Sequence, residues 1–304
     1  DWSEYWKHGQ SRLENMALFR KNVQIDANLD VQEQADVLRQ AHKKTEQLID
    51  LLAENFIFAE QLDDATIKAA RKWEKAGYSV NYQLAYQAAH TQEEAEWHFQ
   101  QYVNAIYTVG RASKQVEWTS SHGLTVKLSA LFPRFEYAQR ERVILELLPK
   151  LKKLFLLGLE YHVPLCIDAE NSEHLELSLD ILDALVNEPR LVDYQGIGFT
   201  VQAQHKSTPL VLDYLSSLAH GLRKRLMIRL VEGLDWDGEI ERAQVLGLNG
   251  YPIYTRVEHM RIAYLACARQ LFNLAGAVYP QFATQDAYLV AAIHAMGKTK
   301  SFEF

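Results

Sequence analysis

The hydrophobic pattern in the first quarter of the chain has a helical period. Apolar residues over 31–52 form one stripe at a spacing of about 3.5 residues, which is typical of an amphipathic helix. Acidic residues that can cap a helix N-terminus predict a second helix over residues 63–75, and Gly77 would end it. We therefore expect a helical N-terminal segment over residues 1–76 and a separate domain over residues 77–304.

Beyond residue 77 the pattern changes to short β-like runs that alternate with longer amphipathic stretches. The predicted strands are 78–84, 125–130, 165–168, 198–202, 226–231, 279–282 and 302–304. The predicted helices between them are 92–109, 140–159, 173–186, 209–222, 237–246 and 257–271. This alternation predicts parallel strands joined by crossover helices. Seven such strands favour a TIM-type (βα)8-like barrel of the α/β class, and the absence of a GxGxxG motif after any strand disfavours a dinucleotide-binding Rossmann domain.

Polar side chains recur on one face of the predicted strands. Because side chains alternate along a strand, the apolar ones would face the outer helices and the polar ones the barrel interior. The interior set is Lys127, Asp168, Gln202, Arg229 and Gln281. These residues would meet at the C-terminal mouth, where TIM barrels keep their chemistry. With two cations and one anion, the set suits a small anionic ligand or an electron-rich cofactor ring. The alternative is a Lys–Asp–Arg network that only fills the interior.

Composition narrows the class of protein. The net charge of −7 argues against a general nucleic-acid binder, and no apolar run approaches the roughly 18 residues that a membrane span needs. The 11 histidines show no HxxxH, HxH or HExxH spacing, so we expect no metal site. Cys166 and Cys267 lie far apart in apolar surroundings, as expected for buried thiols in a reducing cytoplasm.

Several long motifs resemble one known family. They are TVKLSALFPRF (125–135), CIDAEN (166–171), GIGFTVQAQHK (196–206), RLMIRLVEG (225–233), YPIYTR (251–256) and YPQFAT (279–284). In order and spacing they are similar to the proline dehydrogenase barrel of the bifunctional proline utilisation A flavoenzymes. The resemblance covers roughly residues 50–304.

This resemblance implies FAD-dependent oxidation of L-proline to pyrroline-5-carboxylate. The residues that it places at the reaction centre are Lys127, Asp168 and Arg229. Those that it places against FAD are Gln202, Arg229, Val231, Gly233, Trp236, Thr255, Arg256 and Thr284. The alternation of side chains along the strands also selects four of these residues, Lys127, Asp168, Gln202 and Arg229, independently of the resemblance.

The departures from the family pattern fall on ligand-binding positions. Glu232 and Val257 stand where the family has lysines, Asp235 where it has an aromatic residue, and Gln285 where it has histidine. FAD carries about two negative charges on its pyrophosphate, which proteins meet with cations, donors or helix N-termini. We expect these changes to weaken FAD binding.

Three functions follow as alternatives. The first is a barrel that is impaired or non-catalytic as it stands and is retained for assembly or regulation. The second is an active proline dehydrogenase, as part of a longer protein or with an altered substrate, and the third is a flavin-free sensor of small anions. Residues 302–304 match the start of the family's seventh strand, so we expect a missing segment or a partner chain to complete the barrel.

Overall fold

The amphipathic segments predicted downstream of residue 63 form helices. The computed structural model describes residue 62 and residues 64–75, 77–112, 117–222 and 224–304, which belong to one compact unit, Leu62–Phe304. The helices are α1 Asp64–Lys75, α2 Gln92–Ala112, α3 Leu128–Leu131, α4 Arg140–Tyr161, α5 Leu175–Val186, α6 Thr208–Leu222, α7 Trp236–Val245, α8 Val257–Asn273 and α9 Ala287–Met296. Short 3-10 turns cover Tyr137–Gln139, Ser172–His174 and Pro189–Leu191.

The end of α1 confirms the predicted helix stop. Gly77 has a φ of +89°, a left-handed conformation that favours glycine and ends the helix. The helical stripe over residues 31–52 lies outside the described residues. The division of the chain at residue 76 therefore stays a prediction.

The strands form one parallel sheet. Among the described residues they are β1 Asn81–Gln83, β2 Gly123–Val126, β3 Leu165–Ile167, β4 Ile197–Gln202, β5 Leu226–Val231 and β6 Val278–Ala283. They lie side by side in chain order, from β1 to β6. Buried helix faces cover one side of this sheet, as the alternating pattern predicts.

A hydrogen bond across the concave face shows that the sheet curls. Nη1 of Arg229 on β5 donates to Oγ1 of Thr125 on β2 at 2.9 Å, although β3 and β4 lie between these strands. A flat sheet would separate the two side chains by three strand spacings, each of about 4.8 Å. The six strands thus form a half-barrel, which confirms the predicted α/β, TIM-type architecture.

Two of the predicted strands are wrong in part. The run 125–130 leaves the sheet after Val126, because the next backbone N–H groups bond to side chains instead of to a ladder. Lys127 N donates to the Tyr102 hydroxyl at 3.1 Å, and Ser129 N donates to Glu170 Oε1 at 2.9 Å. Residues 302–304 add only an isolated parallel bridge between Gln281 and Glu303, so the predicted count of seven strands is too high by one within the described residues.

The prediction also missed α9. Its sequence, AYLVAAIHAM, is apolar on most sides and has no clear stripe. Its start signal was present, however, because the Asp286 carboxylate accepts hydrogen bonds from Tyr288 N at 2.9 Å and Leu289 N at 3.3 Å.

Helix α4 packs tightly against its neighbours at Gly158. A Cβ atom there would lie 2.5 Å from the Tyr194 hydroxyl and 2.9 Å from Val163 O, and these two groups hydrogen bond to each other. We expect Gly158→Ala to lower the free energy of unfolding by about 1–3 kcal/mol through overpacking. Urea unfolding measures the change.

A second helical glycine provides the control. Gly221 lies near the end of α6, and a Cβ atom there would meet nothing within 4 Å. Gly221→Ala should be neutral or stabilise by up to about 1 kcal/mol, because alanine has the higher helix propensity. Equal losses in the two variants would contradict the packing argument for Gly158.

Candidate functional site

Asp168 lies at the mouth of the half-barrel, one residue beyond β3. Its backbone N donates to Val126 O at 2.8 Å, which keeps it in register with the end of β2. Its Oδ2 accepts from Gln83 Nε2 at 3.0 Å, and its Oδ1 accepts from Ala169 N at 3.0 Å. The carboxylate is thereby fixed between the ends of three neighbouring strands.

The surroundings of Asp168 shift its equilibrium toward the protonated form. Burial and the nearby carboxylate of Glu170 raise the pKa of Asp168 to about 6, against the opposing effects of Ala169 N–H, Arg229 and Lys127. Burial also raises the pKa of Glu170, but hydrogen bonds from His174 and Ser129 outweigh it and leave that pKa below its ordinary value. Two neighbouring carboxyl groups therefore hold their protons over different pH ranges.

This raised pKa has a consequence for stability. Between about pH 4 and pH 6 the folded chain binds more protons at Asp168 than the unfolded chain, so stability falls as pH rises through this window. Asp168→Asn cannot ionise and should be more stable than the parent at pH 7 by on the order of 1–3 kcal/mol, with the difference vanishing below about pH 4. Urea unfolding from pH 4 to pH 8 tests it, and Asp213→Asn on the exposed face of α6 serves as a matched control that should show no such difference.

Lys127 and Arg229 approach Asp168 from two other strands. Lys127 follows β2 and is half-buried, and within the described residues no hydrogen bond or ion pair holds its ammonium group. Arg229 lies on β5 with its guanidinium across the concave face. Both cations favour ionised Asp168 electrostatically. The structure thus brings together the three residues predicted for the reaction centre, but Lys127 follows its strand and does not lie within it.

Gln202, which the resemblance places against FAD, makes three hydrogen bonds to neighbouring loops. Its Nε2 donates to Glu170 O at 2.7 Å, and its Oε1 accepts from Gln204 Nε2 at 2.9 Å and Leu234 N at 3.0 Å. The buried amide therefore joins the loops after β3, β4 and β5. Sequence reasoning missed Glu170, which the CIDAEN motif contains and which binds both this loop network and Ser129.

Gln281 on β6 is inside the curl but pairs with Glu303. Its Nε2 donates to Glu303 Oε1 at 2.5 Å, and burial raises the pKa of Glu303. Gln281 is a register neighbour of Arg229, yet no described hydrogen bond links it to Asp168. The contact with Glu303 was not predicted, because the pattern of a short terminal strand does not indicate which distant side chain its glutamate will bind.

The segment from β5 to α7 contains three of the predicted FAD contacts. Val231 is half-buried and Gly233 is exposed, and a Cβ atom on Gly233 would lie only 2.0 Å from Gln204 Oε1. Trp236 begins α7 and donates its indole N–H to Tyr254 O at 2.7 Å. The close approach of Gln204 explains why this turn has glycine.

Two carboxylates lie on the same segment. Glu232 accepts a hydrogen bond from the Thr284 hydroxyl, and Asp235 caps α7 by accepting from Gly238 N at 3.2 Å. The helix N-terminus would otherwise present free N–H groups and a partial positive charge to an anion. Here it already holds a carboxylate, and the hydroxyl of Thr284 is already used as a donor.

The remaining predicted FAD contacts lie at the start of α8. Thr255 and Arg256 are exposed, and Arg256 is the N-cap residue without a side-chain capping bond. Val257 follows with 42% of its surface exposed, and Gln285 is exposed after β6. These positions place one cation, Arg256, at the N-terminus of α8.

The described residues give two further findings about site type. They contain no group of three or more His, Cys, Asp or Glu side chains that could hold a metal ion. In those same ranges, each helix is too short or too polar to cross a lipid bilayer.

Comparison with known proteins places this geometry in a family. A family model described as proline dehydrogenase matches residues 66–304. The chain belongs to the proline dehydrogenase family. It is 46% identical over 244 residues to the bifunctional protein PutA of Escherichia coli K12, which covers 80% of this chain and 18% of that protein. It is 38% identical over 246 residues to PutA of Rhizobium meliloti, covering 81% and 20% respectively.

Solved structures of PutA share the fold. A mutant of Bradyrhizobium japonicum PutA superposes with a TM-score of 0.72 at 40% identity, over 74% of this chain and 23% of that one. PutA from Bdellovibrio bacteriovorus, inactivated by N-propargylglycine, gives a TM-score of 0.80 over 97% of this chain and 32% of that one; at 21% identity it supports the fold alone. The chain thus spans about a fifth of the length of its curated relatives and is a proline dehydrogenase domain of the PutA family.

Proposed function

We propose that this proline dehydrogenase domain holds FAD poorly, is impaired or non-catalytic as it stands, and has a structural, assembly or regulatory role. The family reaction is the FAD-dependent oxidation of L-proline to pyrroline-5-carboxylate. The site has two ends that differ in how far they match the family. The end around Asp168 keeps the three residues predicted for the reaction centre, Lys127, Asp168 and Arg229, whereas the end around α7 has changed its charge.

The observation that carries the proposal is the pair of carboxylates between β5 and α7. Asp235 caps the N-terminus of α7, and Glu232, three residues earlier, accepts a hydrogen bond from Thr284. A pyrophosphate bound near this segment would need positive charge, which these two carboxylates oppose. Each like-charge contact at such a partly exposed position costs on the order of 1 kcal/mol or more. The residues present at this end therefore do not fit the pyrophosphate of a dinucleotide.

The retained end of the site supports a second candidate function, the binding of a small carboxylate such as L-proline without flavin. Lys127 and Arg229 supply two cations on the concave face, and the ammonium of Lys127 has no described hydrogen-bond partner. A carboxylate ligand would find a charged donor there that needs no rearrangement. Calorimetry with L-proline, with Lys127→Met as the comparison, separates this candidate from a purely structural role.

An activity assay tests the first proposal. The purified chain is mixed with L-proline, excess FAD and an artificial electron acceptor, and acceptor reduction is followed. We expect no proline-dependent reduction above the rate of Arg229→Met, which removes one of the three residues predicted for the reaction centre. Proline-dependent turnover that Arg229→Met abolishes would instead identify an active dehydrogenase and overturn the proposal.

Two further proposals concern the setting of the domain. Both cysteines are free and buried, which supports a reducing compartment such as the cytoplasm. Among the described residues, the outer edge of β6 is covered only by the bridge to Glu303, and a parallel sheet with an open edge is prone to further pairing. We therefore propose that a further segment or a partner chain completes the barrel beyond this edge.

A further inference from the structure

A buried carboxylate lies outside the group around Asp168. Glu239 on α7 is only 1% exposed. Its two oxygens accept from Ser172, with 2.6 Å to the backbone N and 2.5 Å to the hydroxyl. His205 Nε2 lies at 3.9 Å and Arg242 Nη1 at 3.5 Å, so the carboxylate also faces one guanidinium cation and one imidazole, whose pKa is lowered by burial.

Ser172 connects this carboxylate to the segment that follows β3. It opens the 3-10 turn Ser172–His174, four residues after Asp168. Two bonds from one serine to one buried carboxylate fix both the backbone and the side chain at this point. The turn after β3 is therefore attached to α7, an element that is distant in sequence.

The same segment is held at a second point. Glu170 accepts from Ser129 N at 2.9 Å, and its carbonyl accepts from Gln202 Nε2 at 2.7 Å. Glu170 is also the carboxylate that raises the pKa of Asp168, after burial, which is the larger cause. Glu170 lies two residues after Asp168 and two before Ser172, and Ala169 N donates to Asp168 Oδ1, so the surroundings of Asp168 depend on how this segment is held.

We propose that Glu239 is a positioning residue, which anchors the segment after β3 on α7 through Ser172 and thereby sets the environment of Asp168. Glu239 acts through this segment and does not touch Asp168. This role concerns the group around Asp168 and does not depend on whether FAD or L-proline binds. The test of this role is therefore independent of the test of the proposed function.

The test follows the ionisation of Asp168 in the full chain without ligand. Carbon-13 labelling of aspartate carboxyl groups gives an NMR titration, and Asp168→Asn identifies the signal. We expect a midpoint near pH 6 in the parent chain and a fall toward the ordinary value of about 4 in Glu239→Ala, because the released segment lets water reach Asp168 and moves Glu170 away. Glu239→Gln keeps an acceptor for Ser172 N and should leave the midpoint within about 0.5 units of the parent.

Two further variants keep the test decisive. Glu173→Ala removes an exposed carboxylate from the same turn, whose partner is Arg242 at 3.4 Å, and should not move the midpoint. If Glu239→Ala does not fold, Ser172→Ala removes the hydroxyl bond alone and should lower the midpoint in part. An unchanged midpoint in folded Glu239→Ala or Ser172→Ala, or an equal fall in Glu173→Ala, would overturn the proposal.

Discussion

The double variant Glu232→Lys with Asp235→Asn is expected to bind FAD about 100-fold more tightly than the parent chain. The lysine places a cation where a carboxylate now stands between β5 and α7. The asparagine keeps an oxygen that can accept from Gly238 N, so the helix cap survives while its charge is removed. Quenching of flavin fluorescence during titration with protein measures the two affinities.

A charge change elsewhere provides the control. Glu160 is exposed at the far end of α4, away from the mouth of the half-barrel, and Glu160→Lys reproduces the charge change of Glu232→Lys, the larger of the two charge changes in the double variant. It should leave FAD affinity within about twofold, because exposed charges beyond a Debye length are screened. Equal gains in both variants would mean that overall charge, and not the segment before α7, limits FAD binding.

Phe199→Ala is expected to cause the largest loss of stability, about 3–5 kcal/mol in the free energy of unfolding. Phe199 lies on β4, near the middle of the sheet, and is 2% exposed. Removing its ring leaves a cavity between the sheet and the helices that neighbouring side chains can fill only in part. Urea unfolding at a pH where the parent is stable gives the value.

Two further variants serve as controls for the stability loss expected in Phe199→Ala. Phe199→Leu keeps most of the volume and should cost clearly less than the alanine variant. Leu145→Ala removes a side chain that is 75% exposed and should change stability by no more than about 0.5 kcal/mol. A loss at Phe199 as small as the loss at Leu145 would contradict the assignment of β4 to the core.

The sequence predicted most helices and most strands because their signals are local. The α1 helix has an acidic residue at its first position, a periodic stripe and a terminal glycine within 14 residues, 64 to 77, so no distant contact is needed to define it. The strand β5 was predicted with its observed ends for the same reason. The end of β2 was not predicted correctly. The N–H groups of Lys127 and Ser129 donate to Tyr102 and Glu170, which lie far away in sequence.

The residues of the site also divide into those that local pattern predicts and those that depend on distant contacts. Alternation along strands was enough to bring Asp168 and Arg229 to one concave face, since the period of two is a property of the strand itself. The contacts of Gln202 and Glu239 depend on loops that cross between strands and on α7. In the sequence, Glu239 is one acid in the polar stretch of an amphipathic helix, and nothing local shows that it is buried.

The visible absorption spectrum of the purified chain tests weak FAD binding most directly. The protein is incubated with excess FAD, passed through a gel-filtration column to remove free flavin, and its spectrum is compared with that of Glu232→Lys with Asp235→Asn treated in the same way. We expect the parent chain to elute colourless and the double variant to retain the flavin band. A parent chain that elutes yellow, with one flavin for each protein molecule, would contradict the proposed loss of FAD affinity.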